Sequence, residues 1–419
     1  MSNDFKIEKL IFNFKNKKIS KKEAIEILIS LIESSDDVNT RFRSINFLRE
    51  LDHKSKRVFE ILEGCLVSDE SSLIRGIAAR LLVTKFPKIC FDTIKWVMHY
   101  DRSVLVLKYL KDYVMNEENE YSQNLSKTLS EFLAENYGVI DKEAFFLLDL
   151  EYIKDKNLEI GFFKPLIKKE RIISLDLAGL QINKIPFSIG NLTELINLNL
   201  WDNNLVTLPR SIENLQKLKY LYLDWNQFSI LPNINWMKLK SLRKLSLTNN
   251  INLIHIPKSL FLLSKRNFSN KYINEGVNLT DAPLLGLIEI LTGQSLSKVG
   301  LNEELNKLYA CNYRINKEGN VIGIYLYGYH SFKINLIPEQ IFSLKFLEEL
   351  ILRQQNIKNI PDSIKKLKFL KKLDLMSNKI KKIPRIINEL NTLRYLDLED
   401  NLIKEPPKLK RYSKIDLWF

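Results

Sequence analysis

The residue types that carry out covalent and metal chemistry are sparse in this chain of 419 residues, and their spacing is not that of a reaction centre. His53, His99, His255 and His330 lie in four different segments, and Cys65, Cys90 and Cys311 are odd in number and far apart, which is neither a zinc pattern nor a disulfide framework. Glycine-rich phosphate loops, H-E-x-x-H and G-x-S-x-G are absent. No catalytic residue, metal or cofactor is therefore expected. The chain does contain residues suited to strong non-covalent contact: Trp201, Tyr222, Asp224, Trp225, Tyr325, Tyr327, Arg353 and Asp374. Trp, Tyr and Arg dominate binding hot spots because they bury much area at low entropic cost. Residues so far apart in sequence form a site only if the elements beneath them repeat.

They do repeat. Pro186, Pro209, Pro232, Pro257, Pro338, Pro361, Pro384 and Pro407 follow one another at intervals of 23, 23, 25, 81, 23, 23 and 23 residues. An apolar frame accompanies each, clearest in Leu195, Leu198, Leu200, Asn203, Leu205, Leu208, Pro209, Ile212 and Leu215, and again in Leu370, Leu373, Leu375, Asn378, Ile380, Ile383, Pro384, Ile387 and Leu390. Alternation in L-x-x-L-x-L predicts a short strand with its leucines inward, and I-x-x-L after the proline has helical spacing that covers the same core. One such unit cannot bury its apolar face alone, so the units must stack. The asparagines Asn203, Asn226, Asn250, Asn378 and Asn401 are placed to satisfy backbone groups where the chain leaves each strand.

The pattern L-x-x-L-x-L-x-x-N-x-L-x-x-L-P-x-x-I-x-x-L resembles the leucine-rich repeat. Eight repeats begin near Ile172, Leu195, Leu218, Leu242, Val321, Leu347, Leu370 and Leu393; Leu180, Tyr329 and Gln355 stand at the Asn position of repeats one, five and six, where the turn is expected to depart from the frame. The length of 23 and the L-P-x-x-I-x-x-L tail resemble the intracellular class of Ras-pathway scaffolds and plant Ras-group-related repeat proteins, with archaeal relatives.

Between the inward leucines, the intervening residues form ladders on the concave face. The fifth position runs Asp176, Asn199, Tyr222, Ser246, Tyr325, Ile351, Asp374, Asp397; the seventh runs Ala178, Trp201, Asp224, Thr248, Tyr327, Arg353, Met376, Glu399; Trp225 belongs to the eighth. This sets the eight contact residues on a face that the fold does not itself bury, either to bind a partner or to pack on one another.

The interval of 81 holds one repeat plus an inserted island at residues 264–320. Thr280 and Asp281 are placed to cap a helix with Pro283 in its first turn and Leu284, Leu287, Ile288 and Leu291 on one face; a short helix is expected over 302–310, and 312–326 reads as a hairpin turning at 317–320. The island either patches the array or helps to bind. Ile415, Leu417, Trp418 and Phe419 are expected to lid its end.

Residues 1–165 lack the proline period and read as amphipathic helices: one after a Ser20/Glu23 capping box, then 38–51, 55–66, 70–85, 88–99, 102–115, 122–136 and 142–153. Asp37, Asp69 and Asp101 recur every 32 residues, followed by Arg41, Arg75 and, less regularly, Lys108, which resembles short HEAT-type repeats; the aspartates themselves read as N-caps. Cys90, Phe91, Asp92 resembles the C-x-D motif of bacterial leucine-rich-repeat ubiquitin ligases, but its apolar helical setting reads as core.

The expected architecture is an α+β repeat protein: an all-α HEAT-like domain (1–165), repeats one to four (166–263), the island (264–320), repeats five to eight (321–407) and a C-terminal cap (408–419). No run approaches the roughly 18 apolar residues of a membrane span, and the charged start argues against a signal peptide, so a cytoplasmic protein is expected. The net charge of +14 lies in residues 171–419, including Lys365, Lys366, Lys368, Lys381, Lys382 and Arg385 on the convex and edge positions of repeats six and seven. These observations favour a non-catalytic adaptor or scaffold that grips a protein on the concave face. The resemblance implies a small GTPase or its regulator as that protein. The alternative is electrostatic binding of nucleic acid or anionic membrane through the basic edge; both are disfavoured, because phosphate binding usually needs a contiguous groove, often with stacking aromatics, and the aromatic ladders lie on another face.

Overall fold

The computed structural model describes residues 3–155, 158, 161–231, 234–250, 257–292, 296–300, 311–328, 333–335, 337–404 and 416–418, and the chain divides into two compact units, Met1–Ile172 and Ile173–Phe419. In the first unit, helices α1 (Asn3–Lys15), α2 (Lys21–Ser34), α3 (Val38–Leu51), α4 (Lys56–Ser68), α5 (Ser72–Lys85), α6 (Phe91–Tyr100), α7 (Val104–Asn116), α8 (Glu120–Tyr137) and α9 (Asp141–Lys154) follow one another through short turns. The capping box before α2 forms as expected, with Glu23 N donating to Ser20 Oγ at 3.2 Å and Ser20 N to the Glu23 carboxylate at 2.7 Å. Consecutive helices pair, α2 on α3, α4 on α5, α8 on α9, and alternate ones pack as well, α3 on α5, α5 on α7, α7 on α9, so each row buries the apolar faces of the other. Helix α1 escaped the sequence reading although Ile7 and Leu10, at i and i+3, are buried.

The aspartate period has a different physical basis from the one expected. Only Asp37 caps its helix, accepting from Thr40 N at 2.8 Å. Asp69 and Asp101 sit at the ends of α4 and α6 and pair with arginines one step earlier: Arg41 Nε lies 3.0 Å from Asp69, and Arg75 Nε 2.7 Å from Asp101. Each carboxylate also accepts the backbone N–H two residues on, Ser71 at 2.9 Å and Ser103 at 2.8 Å. Lys108 contributes by binding Asp112 and approaching Asp149, which Lys111 holds at 2.5 Å. Past α9, Glu151 accepts from Gly161 N and Glu143 from Ile172 N, fixing the segment that contains β1 (Leu166–Lys168).

In the second unit the proline period becomes a ladder of parallel strands: β2 (Arg171–Asp176, its start in the first unit), β3 (Asn197–Asn199), β4 (Tyr220–Tyr222) and β5 (Lys244–Ser246) in one sheet, and β8 (Val321–Tyr327), β9 (Glu349–Arg353), β10 (Lys372–Asp374) and β11 (Tyr395–Asp397) in another. The register sets Leu175, Leu198, Leu221 and Leu245 side by side, and likewise Ile324, Leu350, Leu373 and Leu396, all buried. Most periodic prolines open a short 3-10 turn, such as Phe187–Asn191, Arg210–Asn214, Glu339–Ser343, Asp362–Lys366 and Arg385–Glu389. The turn needs no N–H from the proline, and its isoleucine closes the core from the other side.

The asparagines work as their chemistry requires. Asn203 Oδ1 accepts from Ile182 N at 2.9 Å while its Nδ2 donates to Leu177 O, Leu200 O and Trp201 O, and Asn226, Asn250, Asn378 and Asn401 repeat the arrangement. At repeat six the expected departure does not occur: Gln355 accepts from Ile334 N at 2.9 Å and donates to Leu326 O and Arg353 O, the extra methylene reaching across a longer repeat. Tyr329 lies outside the described residues.

The island divides the ladder. Helices α10 (Lys258–Asn267), α11 (Asn270–Asn274) and α12 (Ala282–Thr292) follow Pro257, and β6 (Ser297–Lys298) and β7 (Asn312–Ile315) precede β8, with β7 and β8 forming the expected antiparallel hairpin. The helix expected at 302–310 lies outside the described residues. Helix α12 is buried along almost its whole length, and its Ile290 O accepts Leu247 N just after β5, so a helix takes the place of the next strand. Asp281 accepts from Val321 N at 2.9 Å, tethering the start of β8. At the far end β12 (Asp416–Trp418) pairs with β11 as one more rung and Leu417 packs on the core; Ile415 and Phe419 lie outside the described residues.

Candidate functional site

Leucines turned inward leave positions three, five and seven of each strand on the opposite face of the sheet. On β3 to β5 the third position carries Asn197, Tyr220 and Lys244 in register, the fifth Asn199, Tyr222 and Ser246, and the seventh Trp201, Asp224 and Thr248. Trp201 is 41% exposed, Tyr220 37% and Trp225 42%, while Tyr222 is half-buried with Lys244 Nζ 5.5 Å above its ring. These four aromatic side chains and the lysine belong to three adjacent rungs, those of β3, β4 and β5. Tyr220 and Lys244 were not among the expected residues, although strand alternation puts the third position on the same face as the fifth.

Trp225 has an unusual backbone. The eighth position is left-handed in repeat after repeat, at Gly179, Asp202, Trp225, Asn249, Gln354, Ser377 and Asp400, with φ between 53° and 68°. Glycine, Asn and Asp tolerate this region; a bulky side chain there is strained. Asn203 N donates to Trp225 O at 3.1 Å and Trp225 N to Thr248 O at 2.9 Å, and these ladder bonds hold the strained residue while its indole stays half in solvent.

Four expected contact residues are buried rather than displayed. Asp224 accepts from the hydroxyls of Ser246 and Thr248 and from Thr248 N at 2.9 Å, which spends its carboxylate on the neighbouring rung. Tyr325 and Tyr327 form a small apolar cluster with Ile351. The Tyr325 hydroxyl donates to Glu349, Arg314 stands 5.5 Å over its ring, and burial pushes its phenol well above the usual value. Asp374 is wholly buried beneath Arg353, whose Nη2 lies 2.6 Å from it and 3.5 Å from Asp397. Arg353 is partly exposed, but its charge is matched by these two carboxylates. The structure thus leaves Trp201 and Trp225 about half exposed and Tyr222 half-buried on consecutive rungs, and in the other sheet it buries Tyr325, Tyr327 and Asp374 and pairs Arg353 with Asp374.

No group of three or more residues able to hold a metal occurs among the described residues. The Cys90 thiol is buried and burial pushes it up to about 12, so little thiolate exists at neutral pH, against a nucleophile at the C-x-D motif. Burial likewise raises Cys65 and Cys311 to about 11.

A family model described as leucine rich repeat matches residues 346–403. The chain is 43% identical over 54 residues to leucine-rich repeat-containing protein 10 of Mus musculus, covering 13% of this chain and 20% of that protein. It is 29% identical over 187 residues to the probable serine/threonine-protein kinase pats1 of Dictyostelium discoideum (43% of this chain, 6% of that one), and 35% over 109 residues to the volume-regulated anion channel subunit LRRC8E of Xenopus laevis (26% and 13%). The matches thus span a fifth or less of these relatives. Among known structures, a repeat protein of Leptospira interrogans aligns over 59% of this chain and 72% of its own at 24% identity, with a TM-score of 0.23. Among the described residues no helix is long and apolar enough to cross a membrane.

Proposed function

We propose that this leucine-rich-repeat protein is a non-catalytic adaptor that grips a protein partner on the strand face formed by Trp201, Tyr220, Tyr222 and Trp225. The observation that carries the reading is Trp225: a half-exposed indole at a left-handed position where other repeats use Gly, Asp, Asn, Ser or Gln. The strain costs about 1 kcal/mol and the exposed ring returns little packing to the fold, so its benefit lies in contact with another molecule. Two tryptophans and two tyrosines around one lysine match the composition of a hot spot. Lys244 and the uncharged Asn197 and Asn199 suit a partner that offers apolar anchors with a carboxylate beside them.

The finer reading follows the 23-residue class that the repeats resemble. A small GTPase or its regulator is the first partner to test, the chain acts in the cytoplasm, and the helical unit is a HEAT-like module. Replacing Trp201, Tyr220 and Trp225 by Ala in the full chain is expected to lower capture of the partner from a cell lysate at least about a hundredfold, since each hot-spot ring contributes about 2 kcal/mol or more. The melting profile should remain near that of the unaltered chain. Undiminished capture by the triple variant defeats the proposal.

A further inference from the structure

Just before the first apolar residue of the frame, six repeats place a polar residue: Arg171, Glu194, Lys217, Ser241, Asn320 and Thr392. The two consecutive repeats between Pro338 and Pro384 depart from this and place Phe346 and Phe369 there. Both rings are exposed, to 44% and 48%, and although 23 residues apart they stack, with centroids 5.8 Å apart and planes inclined by 22°. Each lies in the turn leading from a 3-10 turn into its strand, β9 or β10. A lysine precedes each ring, Lys345 and Lys368, and Lys365 and Lys366 end the intervening 3-10 turn; all four are exposed, and none has an ion-pair partner among the described residues. Other lysines of the ladder behave differently: Lys371 pairs with Glu348 at 2.8 Å, and Lys217, in the earlier sheet, with Glu194 at 2.6 Å.

We propose that Phe346 and Phe369, with Lys345, Lys365, Lys366 and Lys368, form a docking patch for an anionic lipid surface. Paired phenyl rings enter the headgroup boundary as one apolar wedge, and unpaired lysines around them meet negative headgroups. The same charges would attract a single-stranded nucleic acid, but base stacking needs open ring faces, and here one face of each ring is turned to the other. The aromatic residues at the basic edge also remove the ground on which the sequence pattern disfavoured this surface. The inference rests on residues separate from the strand-face site and stands or falls independently of it.

The test sediments the full chain with vesicles of phosphatidylcholine alone and with vesicles enriched in phosphatidylserine, alongside anisotropy of a fluorescent oligothymidylate. The expected result is binding to the anionic vesicles only, falling steeply as salt shortens the Debye length. Phe346→Thr with Phe369→Thr, which copies the residue at Thr392 and so preserves the fold, weakens it about tenfold. Lys365→Glu, Lys366→Glu and Lys368→Glu together abolish it. Equal binding to neutral vesicles, no vesicle binding, or anionic binding that survives both variants overturns the proposal. Oligonucleotide binding lost in the same variants, without vesicle binding, overturns it in favour of nucleic acid.

Discussion

The sheet containing β3 to β5 and the sheet containing β8 to β11 present the same ladder positions in the same register, yet they use them in opposite ways. At the fifth position Asn199 and Tyr222 are half-buried and Ser246 alone of the three is buried, whereas Tyr325, Ile351, Asp374 and Asp397 are all buried. In the later sheet several polar groups on that face find partners on a neighbouring rung, Tyr325 with Glu349 and Arg353 with Asp374 and Asp397, and Tyr395 bonds Asp397 along its own strand at 3.1 Å. In the earlier sheet Asp224 is similarly spent, but the rings beside it remain open. A ladder position thus fixes which way a side chain points, while its neighbours across the rungs decide whether it remains available. One sheet is closed by its own chemistry, and the other is left with a face to offer.

That contrast breaks most visibly at Asp374. Asp374→Ala removes the closest carboxylate from Arg353 and is expected to cost about 3 kcal/mol, since the guanidinium keeps only the more distant Asp397. Trp201→Ala, on the open face, should cost less than about 0.5 kcal/mol. Urea unfolding of the two variants measures the difference, and equal losses would erase the distinction between the sheets.

Alkali sharpens it further. Burial, then the bond to Glu349, raises the Tyr325 phenol, and Tyr395 is raised to about 12, again chiefly by burial. An unfolded tyrosine releases its proton near pH 10, as the model phenol does. The folded chain therefore retains these protons longer, and their contribution, complete below about pH 10, is lost as pH rises above it. Tyr325→Phe should flatten this alkaline loss in a series of melts from pH 8 to pH 11; an unchanged slope would mean that the phenol does not matter to the later sheet.

A further expected effect has the opposite sign. Trp225→Asn relieves the left-handed strain and should stabilise the earlier sheet by about 1 kcal/mol while weakening partner capture. A destabilised variant would show that the indole serves packing after all.

Much of this fold was legible because its determinants are local and repeated. The proline interval and the leucine alternation specify each strand from Leu175 to Leu396, and Ser20 with Glu23 marks the start of α2 to the residue. What escaped depends on contacts between rungs. Asp69 and Asp101 look like caps until Arg41 and Arg75 are seen beside them. Tyr325 looks displayed until Glu349 and Arg314 close over it, and Tyr327 until it packs with Tyr325 and Ile351; Glu349 stands at the third position, which also holds the overlooked Tyr220. Gln355 reads as a flaw in the asparagine series, yet one additional methylene lets its amide perform the same task. The strain at Trp225 is invisible in sequence because it belongs to the backbone of seven of the eight repeats, not to the tryptophan.

Helix α12, inserted where a strand would have followed β5, bears on how such a chain evolves. In an unbroken ladder, gaining or losing a 23-residue unit must preserve hydrogen-bond register with the neighbours on both sides. Here the rungs up to β5 end against the carbonyl of Ile290 and those from β8 onward start from their own hairpin, so the register of one block is not passed to the other. Tandem duplication or deletion in either block would leave the register of the other undisturbed, so the two blocks can carry different surfaces.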